Sequence, residues 1–116
     1  MATDVILANR VRSALAGEGV PFEEKRMFGG IAFLLRGKLT VAVGRDRLMC
    51  RIDPDVHNTA LQHTGCRTVV MKGREYPVYV HVDLHNLKRE RQLKYRLDLA
   101  LVFNRRLVTA KSKRSR

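Results

Sequence analysis

The stretch Arg26-Met27-Phe28-Gly29-Gly30 through Asp53-Pro54 constrains this chain more than any other. Paired glycines beside a strand permit a positive φ, a bulge, or the close approach of a second backbone. From Ile31 to Leu35 both alternating sets of residues are apolar, as in a central strand covered on both faces. Gly37-Lys38 is read as a two-residue type II′ hairpin turn, because glycine supplies its first central position. Leu39, Val41 and Val43 should then face one way, with Thr40 and Ala42 facing the other. Gly44-Arg45-Asp46-Arg47 makes the next turn, and Leu48, Cys50 and Ile52 return along the core. The economical arrangement is four antiparallel strands in order, the first at Phe22–Phe28.

The flanks extend this plan. Thr3 or Asp4 can cap a first helix to about Ala16, whose apolar stripe is Leu7, Val11, Ala14 and Leu15 and which Gly17 and Gly19 end. Asp53-Pro54-Asp55 is a helix start: Asp53 caps, Pro54 suits the first position, and Asp55 favours the positive helix end. That helix stops near Gly65. Strands at about Arg67–Met71 and Val78–Val82 follow, split by Gly73-Arg74-Glu75, and a long helix runs from about Leu87 to Leu107. The expected order is α-β4-α-β2-α, an α+β domain with helices packed on an antiparallel sheet. Residues 1–107 are read as one domain and residues 108–116 as a basic flexible tail.

Charge is unevenly placed. The formal net charge is +12. Residues 1–85 carry 12 Lys/Arg against 9 Asp/Glu, whereas residues 86–116 carry 11 against only Glu90 and Asp98. A phosphate-rich partner would feel that end as one localised field, and the bland alternative is a solvated helix face with a solubilising tail. The candidate nucleic-acid contacts are Lys88, Arg89, Arg91, Lys94, Arg105, Arg106, Lys111, Lys113, Arg114 and Arg116. With no Trp, and Tyr95 alone near the basic face, base-specific reading is not expected. On the same helix Leu93, Leu97, Ala100, Leu101 and Leu107 share the face expected to meet the sheet. Tyr95, Leu99, Val102 and Phe103 form a second apolar patch, either clamped within the fold or offered to a protein partner or a second copy of the chain.

Sites for chemistry are sparse. His63 and Cys66 are spaced H-x2-C, and His81 and His85 H-x3-H, but nothing forces these four onto converging elements, so no metal is expected. Strand alternation places Arg51 opposite Cys50, which leaves that thiol without an activating neighbour, and Cys66 beside Arg67 is only slightly better. Glu23 and Glu24 alternate faces. The glycine pairs fit neither a dinucleotide fingerprint nor a phosphate loop. No catalytic residue and no cofactor is assigned, and an enzyme is not expected. Two cysteines are too few for a disulfide framework. No apolar run approaches the roughly 20 residues that span a bilayer. With no secretory signal read, a cytoplasmic protein without membrane contact is expected. Arg26 is expected to pair with a nearby acid such as Asp46 or Asp53.

Several blocks together resemble the TfoX N-terminal domain family: Glu23-Glu24-Lys25-Arg26-Met27-Phe28-Gly29-Gly30, Leu48-Met49-Cys50-Arg51-Ile52-Asp53-Pro54, Gly65-Cys66-Arg67, Gly73-Arg74, Tyr79-Val80, and Leu99-Ala100-Leu101-Val102-Phe103-Asn104. The likeness covers roughly residues 7–114, and its most specific part is Met27-Phe28-Gly29-Gly30. This is the domain at the front of the competence regulator TfoX/Sxy, found also in small stand-alone bacterial proteins. The resemblance implies an α+β fold like that of type III secretion chaperones. It also implies a regulatory or adaptor role in transcription or competence through protein contacts, and it supplies no catalytic residues. The chain departs from the family at Tyr76-Pro77-Val78 and in the basic Lys88, Arg89, Arg91 and Lys94. No counterpart of the TfoX C-terminal domain is read, so a full competence-regulator function is not implied. Pro77 removes a backbone donor, which suits an edge strand or a strand start.

Overall fold

In the computed structural model, residues 5–27, 30–62 and 65–114 are described. The first helix, α1 (Val5–Gly17), turns Leu7, Ala8, Val11 and Leu15 inward. Its expected caps, Thr3 and Asp4, lie outside the described residues. Four strands follow: β1 (Phe22–Met27), β2 (Gly30–Leu35), β3 (Lys38–Val43) and β4 (Arg47–Arg51). Asp53 accepts a hydrogen bond from the Asp55 amide and opens a 3-10 turn at Pro54–Val56, which leads into the short α2 (His57–Leu61). Strands β5 (Cys66–Met71) and β6 (Arg74–Asp83), a 3-10 turn at Leu84–Leu87 and α3 (Glu90–Arg114) complete the chain. The helix thus continues past Leu107, where it was expected to end.

All six strands form one antiparallel sheet in the order β1-β2-β3-β4-β6-β5. Helices cover one face. There Phe33, Leu35, Val41, Val43, Leu48, Cys50, Val80 and Val82 pack with Leu7, Val11 and Leu15 of α1 and Leu93, Leu97, Ala100 and Leu101 of α3. The other face carries a smaller cluster of Ala32, Ala42, Met49 and Val69, with Met27, Leu34, Leu39 and Tyr79 partly buried around it.

Three local expectations are corrected. The β2–β3 turn is centred on Arg36-Gly37, not Gly37-Lys38, because Leu35 pairs with Lys38 and leaves those two residues as the loop. Both have positive φ, 54° and 79°, which makes the turn type I′ and not type II′. Lys72-Gly73 repeats the device between β5 and β6.

A bulge in the same hairpin then resets the faces. Phe33 pairs with Val41 but Leu34 pairs with Leu39, so Thr40 is the extra residue. Leu39 joins the uncovered face with Leu34, while Thr40 is buried toward α3. Asn104 of α3 is 2% exposed and accounts for that burial. Its side-chain amide donates to the Leu35 carbonyl at 3.1 Å and to Thr40 Oγ1 at 3.4 Å, and its oxygen accepts from Arg36 at 2.9 Å. A buried amide satisfied on both ends fixes how α3 sits on the hairpin.

Pro77 lies in β6, which is an interior strand and longer than expected. The β5–β6 register jumps from Val69↔Tyr76 to Thr68↔Val80, so residues 77–79 have no β5 partner, and pairing with β4 begins only at Tyr79. The missing amide donor therefore falls in a gap between ladders, which reconciles a proline with a central strand.

Candidate functional site

Among the described residues three surfaces outside the core bear on function. The first is the outer side of α3. Leu93, Leu97, Ala100 and Leu101 face the sheet, and Leu99 also packs against that core. Tyr95 is 37% and Val102 46% exposed, and Phe103 is half-buried. The expected second patch is thus divided: Leu99 is partly used by the fold, while Tyr95 and Val102, two turns apart, face solvent.

The second surface is the basic set on the same element. Lys88, Arg89, Arg91, Lys94, Arg105 and Arg106 are all exposed. Lys94 is bridged to Asp98 at 3.1 Å one helical turn away, and Arg106 is paired with Asp53. Among the described residues Lys88, Arg89, Arg91 and Arg105 have no ion-pair partner. Lys111, Lys113 and Arg114 lie in the last turns of α3, and Arg116 lies outside the described residues. Asp53 being occupied by Arg106, the pairing expected for Arg26 does not form; Arg26 is exposed on β1 without an acid partner among the described residues.

The third surface is a cleft of about 650 Å³ on the uncovered face of the sheet. Its floor includes Ala42, Met49 and Val69, with Met27 at one side, and Arg45, Asp46, Arg47, Arg67, His81 and Asp83 supply the polar wall. Arg67 is bridged to Asp83 at 2.9 Å. The His81 imidazole is held well below its ordinary 6.5, at about 4, first by burial and then by the positive charges of Arg47 and Arg67, with Asp83 opposing. It is therefore neutral near pH 7. The sequence reading missed this site because its residues come from strands that are not neighbours in sequence. The alternation Arg47-Met49-Arg51 against Leu48-Cys50 carried part of the signal, but the β4-β6-β5 order was needed to set Arg47 near Arg67.

The cysteines lie on the opposite, covered face. Burial pushes the Cys50 thiol up to about 12 and raises Cys66 as well, against the opposing charge of Arg96. A thiol held protonated this strongly is not a nucleophile at neutral pH. Arg96 itself is 4% exposed, and its Nη1 has no hydrogen-bond partner. The histidine and cysteine pairs do not converge: Cys66 pairs with Val82 and His81 with Arg67, so their side chains leave opposite faces of the sheet. His57 instead shares a 3.0 Å hydrogen bond with Thr68, and His63 lies outside the described residues. Among the described residues no three His, Cys, Asp or Glu side chains group as a metal site. No helix among them is long and apolar enough to cross a membrane.

The glycine block has a geometric role. A Cβ on Gly30 would stand 2.0 Å from the Val43 carbonyl oxygen, so only glycine admits this approach of β3 to the start of β2. Met27 pairs with Gly30 across the turn; Phe28 and Gly29 lie outside the described residues. The family model of the TfoX N-terminal domain matches residues 14–103, a span that runs from α1 through the glycine block to Phe103 of α3.

The chain belongs to the TfoX N-terminal domain family. No curated protein and no solved structure is detectably similar to it. The matched span includes Tyr95, Leu99, Val102 and Phe103 and every residue of the cleft wall, whereas Arg105, Arg106 and the basic residues beyond them fall outside it.

Proposed function

We propose that this TfoX N-terminal domain is a non-enzymatic regulatory adaptor that works through protein contacts in transcription or competence regulation, in the cytoplasm. The observation that carries the reading is the solvent-facing pair Tyr95 and Val102 on α3, a helix otherwise well anchored by Leu93, Leu97 and Asn104. Apolar side chains held on a rigid helix beside charged ones make a surface that binds with little ordering cost. The partner is a second protein or a second copy of the chain. The raised thiols fit a domain that binds instead of catalysing.

A second reading has its own support. Lys88, Arg89, Arg91 and Arg105 are exposed cations without acid partners among the described residues, and more basic residues follow on α3. Such an array would hold duplex DNA non-specifically, each neutralised phosphate steepening the salt dependence by about 0.9 in the logarithmic slope.

One experiment separates the two. A photo-cross-linking residue placed at Val102, with a control at Glu18, is activated in cells producing the protein. The adaptor reading expects a protein adduct of discrete mass from position 102 only, at twice the chain mass if the partner is another copy. A nuclease-sensitive adduct supports nucleic-acid binding instead, and no adduct beyond the control contradicts the adaptor reading.

A further inference from the structure

The cleft on the uncovered face has a chemical character of its own. Strand pairing aligns one row of side chains across the whole sheet: Lys25 beside Ala32, Ala32 beside Ala42, Ala42 beside Met49, Met49 beside His81, and His81 beside Arg67. Cross-strand partners share a face, so this row is continuous on the uncovered side. Two alanines at its centre make a trough, because the neighbouring Leu34, Leu39 and Tyr79 stand taller along one flank. The trough is apolar in the middle and cationic at both ends.

Its deeper end, toward the β3–β4 turn, is the 650 Å³ cleft, within the range of about 300–1,000 Å³ that small-molecule sites occupy. Three guanidiniums, Arg45, Arg47 and Arg67, face two carboxylates, Asp46 and Asp83, and one of the three is committed to Asp83. Arg45 and Arg47 have no ion-pair partner among the described residues. One positive charge is left uncompensated beside an apolar floor. Among the described residues Tyr79 is the one aromatic ring in the surrounding cluster.

The geometry points to a binding site for a small monoanion with an apolar body, of the class of medium-chain or aryl carboxylates, with its carboxylate at Arg47 and its apolar part against Val70, 58% exposed at the cleft, over a floor of Ala42, Met49 and Val69, each 5% exposed or less. Arg47 lies one residue pair along β4 from Met49, so head and floor are adjacent. A guanidinium grips a planar carboxylate through two parallel hydrogen bonds. Neutral His81 adds a hydrogen-bonding group there without adding a second full charge. This site is distinct from the outer side of α3 and does not depend on the adaptor reading.

The test is titration of the full chain with octanoate, below the concentration at which it forms micelles, followed by NMR of the Met49 and Ala42 methyls and the His81 ring. Acetate supplies the charge without the apolar body, and hexanol the reverse. The expected result is saturable one-to-one binding that shifts these three residues, with acetate and hexanol each weaker by about tenfold or more. Arg47→Gln should weaken octanoate by about tenfold, the equivalent of one charge-assisted hydrogen-bonded contact, while Arg26→Gln, whose strand partner Ile31 packs on the covered face, leaves it unchanged. Both variants sit at exposed positions, and an unchanged amide spectrum elsewhere establishes that they fold. Absence of shifts at the cleft, equal binding of acetate, or undiminished binding by the Arg47 variant would overturn the proposal.

Discussion

The two faces of this sheet are built from the same strands and do different work. The covered face presents Phe33, Leu35, Val41, Val43, Leu48, Val80 and Val82, all fully or nearly fully buried, to α1 and α3. The uncovered face presents two alanines, a methionine and a valine in a shallow trough, ringed by arginines. Bulk on one side closes the fold. Small residues on the other leave a floor without a lid, and the charges are kept there. Among the described residues Arg96 is the one buried charged side chain on the closed side, and its Nη1 donor is unpaired. On the functions proposed above, stability and recognition are separable in this domain, and each half of that statement can be attacked by substitution.

The largest effect belongs to the closed face. Phe33→Ala should cost about 4 kcal/mol in chemical denaturation, whereas Met49→Ala, 5% exposed within the smaller cluster, should cost about 2 kcal/mol. Equal losses would mean that the uncovered face is as structural as the covered one. Next is the hinge that both faces share. Gly30→Ala drives a Cβ to within 2.0 Å of a backbone carbonyl, a contact that must be relieved by moving β3. The expected loss is about 2–3 kcal/mol, whereas Gly17→Ala at the end of α1, whose Cβ would meet nothing, should be neutral or slightly stabilising.

A smaller effect should come from pH on the uncovered face. His81 is depressed to about 4 when folded from 6.5, so the unfolded chain takes up a proton first as the solution is acidified. Its share of stability is fully present above about pH 6.5 and is lost progressively as pH falls toward 4. After allowance for solvent screening of this half-buried group the loss is about 1 kcal/mol. Stability profiles of the native chain and His81→Gln should diverge through that window, and parallel profiles would mean that neither burial nor the arginine field holds His81 down.

The smallest change is expected where charge intrudes on the closed side. Arg96→Met keeps the length of the side chain and removes a buried charge whose Nη1 has no partner. Arg96 also lies 5.2 Å from the half-exposed Tyr95 ring, a contact worth from about 0.5 kcal/mol at exposed sites to about 2 kcal/mol when desolvated. Relief of the buried charge should outweigh that, so the variant should be between unchanged and about 1 kcal/mol more stable. A clear loss would show that Arg96 is held by interactions stronger than these.

Much of this plan could be read from residue order, for physical reasons that also mark where reading stopped. Strands β1 to β4 pair in sequence through short turns at Arg36-Gly37 and at 44–46, and local hairpins leave local signals such as glycine and alternation. Asp53-Pro54 announced its helical turn because a cap acts over three residues. What could not be read was non-local. The bulge at Thr40 is set by a hydrogen bond from Asn104, 64 residues away, and it moves Leu39 to the other face. Pro77 is tolerated in an interior strand because two ladders leave a gap there, a fact of sheet order and not of composition. The cleft was missed for the same reason. By contrast, the basic end of α3 was legible from charge alone, although Lys94 and Arg106 turn out to be paired with Asp98 and Asp53.

The separation of stability from recognition is tested most directly on α3, which contributes to both. In Tyr95→Ser/Val102→Ser the sheet-facing residues Leu93, Leu97, Ala100 and Leu101 are untouched, and two exposed apolar groups are removed together with the ring contact of Arg96. Denaturation and cross-linking from a photoreactive residue at Leu99 should be measured on this variant and on the native chain. The account predicts a stability change within about 0.5 kcal/mol, typical of surface substitutions, together with loss of the protein adduct. A stability loss above about 2 kcal/mol, or an adduct that survives the double substitution, would contradict it.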